Sequence, residues 1–226
     1  MKKGVIVVKG PDGGGSGNKS DDSSRKILIE VATKLFAEKG FDSTSTREIA
    51  QNAQLNISLI SYYFEGKEGL YKAVISEFAE AMKKESEKMF ASFDFEKMNR
   101  DLFMNFMKRF ISRMLPMKYS NKDINMLFHR EVLAGLPYAK DVFENTFSVI
   151  VENLVKVLEK AQDKKIIRKD INPYIFFFSL VHSVDQFILL SDRCKTPFQA
   201  KVCQLPLEME LYSEQVYKIF IEGVML

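Results

Sequence analysis

Two short clusters of side chains between residues 46 and 67 have the types and spacing to contact a polyanion. Arg47 carries a planar fork of donors that matches either a guanine edge or a phosphate, and Ser58 and Ser61 can hydrogen-bond to either. Ile57 and Leu59 are apolar side chains of a size to meet a thymine methyl group. Thr46, Tyr62, Tyr63 and Lys67 suit phosphate oxygens, which fix a protein's register without specifying sequence. Two adjacent tyrosines on the outside of a short helix have no core duty to explain them. Catalytic chemistry has no comparable cluster. The chain has two histidines, no Gly-rich phosphate loop and no nucleophile elbow, so the sequence predicts no enzyme and no cofactor.

The elements that must hold these residues are legible around them. Thr44, Ser45 and Thr46 offer helix-capping oxygens, and Glu48 follows Ser45 in capping-box spacing. Ile49, Ala50 and Ala53 then give a short helix its inward face. Gln54 and Leu55 form a turn, Asn56 caps a second helix, and Ile60 and Phe64, four apart, are its buried pair. The expected outward set is Ile57, Ser58, Leu59, Ser61, Tyr62 and Tyr63. Gly66 breaks this helix, and Lys67 opens a longer one beside free backbone N–H groups suited to phosphate. The pattern is a helix-turn-helix.

These residues also carry a family resemblance. Ala32 with Leu35 to Phe41, then Thr46-Arg47-Glu48-Ile49-Ala50, Ile60-Ser61-Tyr62-Tyr63-Phe64 and Lys67-Glu68-Gly69-Leu70-Tyr71, closely resemble the N-terminal DNA-binding domain of the TetR family of bacterial transcriptional regulators. The resemblance covers roughly residues 24 to 75 and fixes many positions together. It implies DNA contacts at the positions named above. The chain departs at Gln54, where the family usually has glycine; a left-handed backbone there costs a non-glycine residue on the order of 1 kcal/mol.

The rest of the chain supports an all-α protein. It has 226 residues, 46% hydrophobic and 28% charged, with six prolines and no tryptophan, enough for a sizeable core. Net charge is only +3, and Ser24 to Ala91 holds ten basic and ten acidic residues, so charge alone does not mark a DNA-binding protein. Cys194 and Cys203 lack the partners of a zinc site and are expected to be free thiols, with no metal bound. Val5 to Val8 is too short for an export-signal core, which implies a cytoplasmic protein.

Three parts are expected: a flexible arm at 1–22, whose Lys2, Lys3, Lys9 and Lys19 are either DNA-brushing charges or part of a plain leader; a helix-turn-helix domain at 23–70; and a helical ligand-sensing and dimerisation domain at 71–226. A bracing helix is predicted from Ser23 or Ser24 to Lys39. Further helices are predicted from Lys67 to about Phe90, Met98 to Leu115 with Pro116 as the stop, Asn121 to Ala134, Tyr138 to Gln162, Pro173 onward, and about Glu208 to Gly223.

The helix after Pro173 is apolar almost all round. Ser179, His182, Ser183, Asp185 and Gln186 interrupt it, which argues against a membrane span and for partners on every side. A second copy of the chain supplies them most simply, and the resemblance implies the same homodimer through the last two long helices. Twofold symmetry would place two reading helices about 34 Å apart on a palindromic operator.

Leu127 to Phe147, with its Arg-Glu pair before a proline turn, resembles the C-terminal domain of one TetR subgroup and suggests a sensor. Phe106, Phe110, His129, Phe147 and His182 are the candidate contacts for a small, largely apolar ligand, or else a satisfied polar cluster within a Phe- and Met-rich core. The implied function is a ligand-responsive regulator, most simply a repressor. Two other classes remain: a helical ligand-binding or protein-interaction bundle without useful DNA affinity, and a membrane-associated helical protein.

Overall fold

The computed structural model describes residues 19–91, 93–193 and 208–226. It is all-α: α1 (Lys19–Lys39), α2 (Thr46–Ala53), α3 (Ser58–Phe64), α4 (Lys67–Ala91), α5 (Arg100–Ser120), α6 (Lys122–Leu133), α7 (Lys140–Val142), a π-helical turn (Phe143–Phe147), α8 (Ser148–Asp163), α9 (Pro173–Arg193) and α10 (Met209–Phe220). Among the described residues the only β pairing is an isolated bridge between Ile167 and Met225.

The chain forms two compact units. The first takes in α1 to α3, α4 as far as Glu85, and Asn121–Phe147. Its core is Leu28, Ala32 and Phe36 of α1, Ile49 of α2, Ile60 of α3, Leu70 and Ile75 of α4, and Leu127 of α6, all essentially inaccessible. Each such large side chain contributes roughly 1.5–3 kcal/mol by leaving water. The sequence divides the chain at residue 70; the compact unit instead keeps more of α4 and recruits α6.

Arg130 of α6 explains part of that recruitment. One of its guanidinium nitrogens donates to the carbonyls of Phe36 and Ala37, 3.2 and 2.7 Å away, in the last turn of α1. A cation at a helix C-terminus satisfies orphan carbonyls and complements the dipole. Gly40, at φ 82°, ends α1 with its N–H on Phe36.

The second unit comprises Ser86–Ser120 and Ser148–Leu226. Phe103, Met107, Ile111 and Leu115 of α5 pack with Leu154 and Leu158 of α8, Leu180, Val184 and Phe187 of α9, and Val216 of α10. Asp185, an acidic residue midway along the apolar helix, meets Lys118 at 2.5 Å, and Lys118 itself is only 8% exposed. The Tyr212 hydroxyl donates to the Ser183 carbonyl at 2.5 Å, and its ring stacks on Phe187 at 3.7 Å. Pro173–Leu190 remains long and apolar enough, by length and composition, to cross a bilayer.

Four expected boundaries differ. Helix α1 starts at Lys19, four residues early, with Asp21 and Asp22 in its first turn where the dipole favours acids. Helix α5 runs through Pro116 to Ser120, its last turn held by the Lys118–Asp185 pair. The helix expected over 138–162 runs without a gap from Lys140 to Asp163 but is π-wound at Phe143–Phe147. The final helix ends at Phe220, followed by a 3-10 turn at Glu222–Val224. Lys2, Lys3, Lys9, Cys194, Cys203 and the break at Ser92 lie outside the described residues.

Candidate nucleic-acid interface

Helices α2 and α3 are held by the local chemistry their sequence offers. Ser45 caps α2, its hydroxyl accepting from the Glu48 N–H at 3.1 Å. The α2 C-cap is Gln54 in the left-handed region, φ 56° and ψ 37°, with its N–H on the last-turn carbonyls. The side chain of Asn56 accepts from both the N–H and the hydroxyl of Ser58, at 2.9 and 2.8 Å, and so starts α3. Ile49, Ala50, Ala53, Ile60 and Phe64 are the buried faces.

At the far end of α3, Glu65 (φ 62°) and Gly66 (φ 123°) turn the chain sharply into α4. Gly69 then lies against the Phe64 carbonyl so closely that a Cβ there would overlap the oxygen. Helix α3 and the first turn of α4 are thus fixed by backbone contact.

The predicted contact residues separate into three groups. Ile57, Ser58, Ser61 and Tyr62 are exposed along α3, Tyr62 to 71%, and Arg47 is exposed on α2. Thr46 is half-buried in the first turn of α2. Leu59 and Tyr63, expected to point outward, are half-buried and pack against the core of the first unit. A seven-residue helix has too few turns for the sequence to fix its rotation.

Tyr63 is engaged at both ends: its ring meets Tyr62 and Phe64 edge-on at 5.0 and 5.9 Å, and its hydroxyl donates to the carboxylate of Asp21. Asp21 was not singled out in the sequence, because the helix carrying it was expected to begin after it. Lys67 opens α4 with its ammonium 4.4 Å from the centre of the Phe41 ring and 3.3 Å from the Asp42 carbonyl, to which it donates. Neighbouring cations are held differently. Lys39 pairs with Glu48, and Arg25 pairs with Glu77 while lying 5.3 Å from the Phe64 ring centre.

The five candidate ligand contacts fall in different units. His129 and Phe147 belong to the first, where His129 is half-buried and Phe147 packs on Phe128 at 4.0 Å. Phe106, Phe110 and His182 belong to the second. Phe106 and Phe110 are buried there, Phe106 against Phe93 at 4.5 Å, and His182 is exposed beside Phe178. The polar neighbours of His129 do structural work. Glu131 is buried, accepts the Tyr138 N–H at 3.2 Å and bonds the Tyr71 phenol, whose pKa is pushed well up by burial and then by the Glu131 charge. No group of three or more His, Cys, Asp or Glu side chains that would suit a metal ion occurs among the described residues.

Residues 28–74 match the profile of the family described as bacterial regulatory proteins, tetR family. Among curated proteins the chain is 34% identical over 110 residues to the "Probable HTH-type transcriptional regulator YttP" of Bacillus subtilis (strain 168). That alignment covers 49% of this chain and 51% of the relative. The chain thus spans about half the length of that relative. Two solved structures share the fold: a TetR family transcription regulator from Marinobacter aquaeolei VT8 (TM-score 0.67, 16% identity, 91% of this chain and 97% of that one) and the ketosteroid transcriptional regulator KstR2 of Mycobacterium tuberculosis (TM-score 0.65, 18% identity, 89% and 95%). At such identities the likeness is one of fold.

Proposed function

The chain belongs to the TetR family of bacterial transcriptional regulators through residues 28–74, and from that premise we propose that it represses transcription as a ligand-responsive homodimer on a palindromic operator. The observation that carries DNA binding is the exposed row of Ile57, at the start of α3, with Ser58, Ser61 and Tyr62 on it, flanked by Arg47 and Lys67. In this reading Arg47, Ser58, Ser61, Ile57 and Leu59 meet bases or phosphates, and Thr46, Tyr62, Tyr63 and Lys67 anchor the backbone.

Dimerisation is supported by an apolar stripe on α9 that its own unit leaves uncovered, including Ile175 at 68% exposure and Phe178, with Ile219 of α10 at 65%. The aromatic and methionine-rich helical part supports a largely apolar ligand, with Phe106, Phe110, His129, Phe147 and His182 as its candidate contacts. Release follows if the ligand binds better to a dimer whose reading helices no longer match successive major grooves. A regulator of this kind works in the cytoplasm.

Titration of duplex DNA from the gene's own upstream region, at several salt concentrations, tests the contact assignment. Each lost phosphate contact flattens the slope of log K against log salt by roughly 0.9. Tyr62→Ala and Lys67→Ala are expected to weaken binding and to flatten that slope. Unchanged affinity and slope in both variants would reject the assignment.

A further inference from the structure

We propose that Phe41 is the positioning residue for Lys67, and that Tyr138, nearly a hundred positions further along the chain, holds Phe41 in that role. The proposal rests on the reading of Lys67 as a phosphate anchor. It adds how that anchor is set, and from where it can be unset.

The ammonium of Lys67 has two partners, both from the loop between α1 and α2: the Phe41 ring at 4.4 Å and the Asp42 carbonyl at 3.3 Å. Neither carries a formal charge. A ring face attracts a cation through its quadrupole and leaves the positive charge whole. Lys39 and Arg25 nearby are instead paired with the carboxylates of Glu48 and Glu77, which compete with any phosphate. An ammonium has three N–H donors, so one bond to a carbonyl leaves donors for phosphate oxygens. Lys67 is therefore pre-ordered without being neutralised, which removes part of the ordering cost of a long side chain on binding.

Phe41 is held in turn by other rings. Tyr138 lies 4.4 Å from it at a tilt of 35°, Tyr71 meets it edge-on at 5.1 Å, and Phe36 stacks at 6.0 Å. Tyr71 and Phe36 belong to the helices that frame the helix-turn-helix. Tyr138 does not: it follows α6, beyond a turn with two successive positive-φ residues, Gly135 (φ 82°) and Leu136 (φ 63°). Its backbone N–H is fixed by buried Glu131, which also bonds the Tyr71 phenol. A shift in the segment after α6 that withdraws Tyr138 uncovers one side of Phe41, and with it the seat of Lys67. Operator affinity then depends on a residue with no part in touching DNA.

The test uses the full chain, the upstream duplex and a salt series, with Phe41→Met, Tyr138→Leu, Tyr138→Phe and Lys67→Ala, each checked for a cooperative melt. Phe41→Met and Tyr138→Leu are expected to weaken binding about three- to tenfold and to flatten the salt slope by up to about one. Tyr138→Phe keeps the ring and is expected to bind as the parent does. Adding Phe41→Met to Lys67→Ala is expected to cause little further loss, because both act through one contact. Parental affinity and slope in Phe41→Met and Tyr138→Leu, with Lys67→Ala impaired, would overturn the inference and leave the anchor standing. Full additivity of Phe41→Met and Lys67→Ala would overturn it too. A silent Lys67→Ala would remove the anchor itself.

Discussion

Replacing Gly69 by alanine should destabilise the protein, against the usual sign of that substitution in a helix. Alanine is about 1 kcal/mol better than glycine in a helix interior, and less than that in a first turn. At Gly69, however, the new Cβ would lie 2.9 Å from the carbonyl carbon of Phe64 and closer still to its oxygen. Carbon atoms pack well at about 3.5–4.0 Å, and the oxygen intrudes further than the carbon, so the end of α3 and the start of α4 must part by more than about an ångström. The obstacle is backbone, pinned by the positive-φ pair Glu65 and Gly66, and no rotamer change relieves it. Overpacking of this kind costs roughly 1–3 kcal/mol, toward the upper end where backbone must move. After the propensity gain the net loss is about 1–2 kcal/mol, or a melting temperature lower by about 2–8 °C for a chain of this size. Thermal unfolding followed by circular dichroism measures it. Gly223→Ala serves as the control, since its nearest neighbour would be the Lys218 carbonyl oxygen at 3.9 Å. A Gly69→Ala melt at or above that of the parent would refute the argument.

Three other outcomes follow from the geometry. Gln54→Gly should exceed Gln54→Val in stability by at least about 1 kcal/mol in urea unfolding, because φ 56° strains a β-branched residue most and glycine not at all. Lys118→Ala should cost about 2–3 kcal/mol, the lower end for an orphaned buried charge because Asp185 retains some exposure, and Lys118→Met with Asp185→Leu should restore most of it. The Tyr71 phenol is held neutral in the folded protein and ionises near pH 10 once unfolded. Its stabilising effect is therefore complete below about pH 10 and drains away as pH rises beyond it. Tyr71→Phe should be less stable than the parent at pH 7 yet lose stability less steeply above pH 10, as a urea series across that range would report.

How much of this was legible depended on whether the deciding partner was local. Ile49, Ala50, Ala53, Ile60 and Phe64 recur at helical spacing and are buried as expected. The Asn56 side chain starts α3, and Gln54 takes the left-handed conformation its glycine-like place implied. Distant partners were not legible. Nothing near Tyr63 in sequence announces Asp21, 42 positions away. Nothing near Pro116 announces that Lys118 will find Asp185 and carry α5 one turn further. The grouping of Asn121–Phe147 with the N-terminal unit depends on Arg130 reaching α1 and Tyr138 reaching Phe41, 94 and 97 positions back.

The Lys118–Asp185 pair has a consequence beyond its energy. A helix as uniformly apolar as α9 has many nearly equivalent rotations about its axis, since Leu, Phe, Val and Ile can each fill much the same space. Asp185 on that helix, matched to the buried base Lys118 on α5, lifts the degeneracy: the observed azimuth brings the two charges together, and a rotated helix parts them. That azimuth is the one that turns Ile175, Phe178, His182 and Leu190 outward as one row. The interior pair thus selects which surface the helix shows to the world.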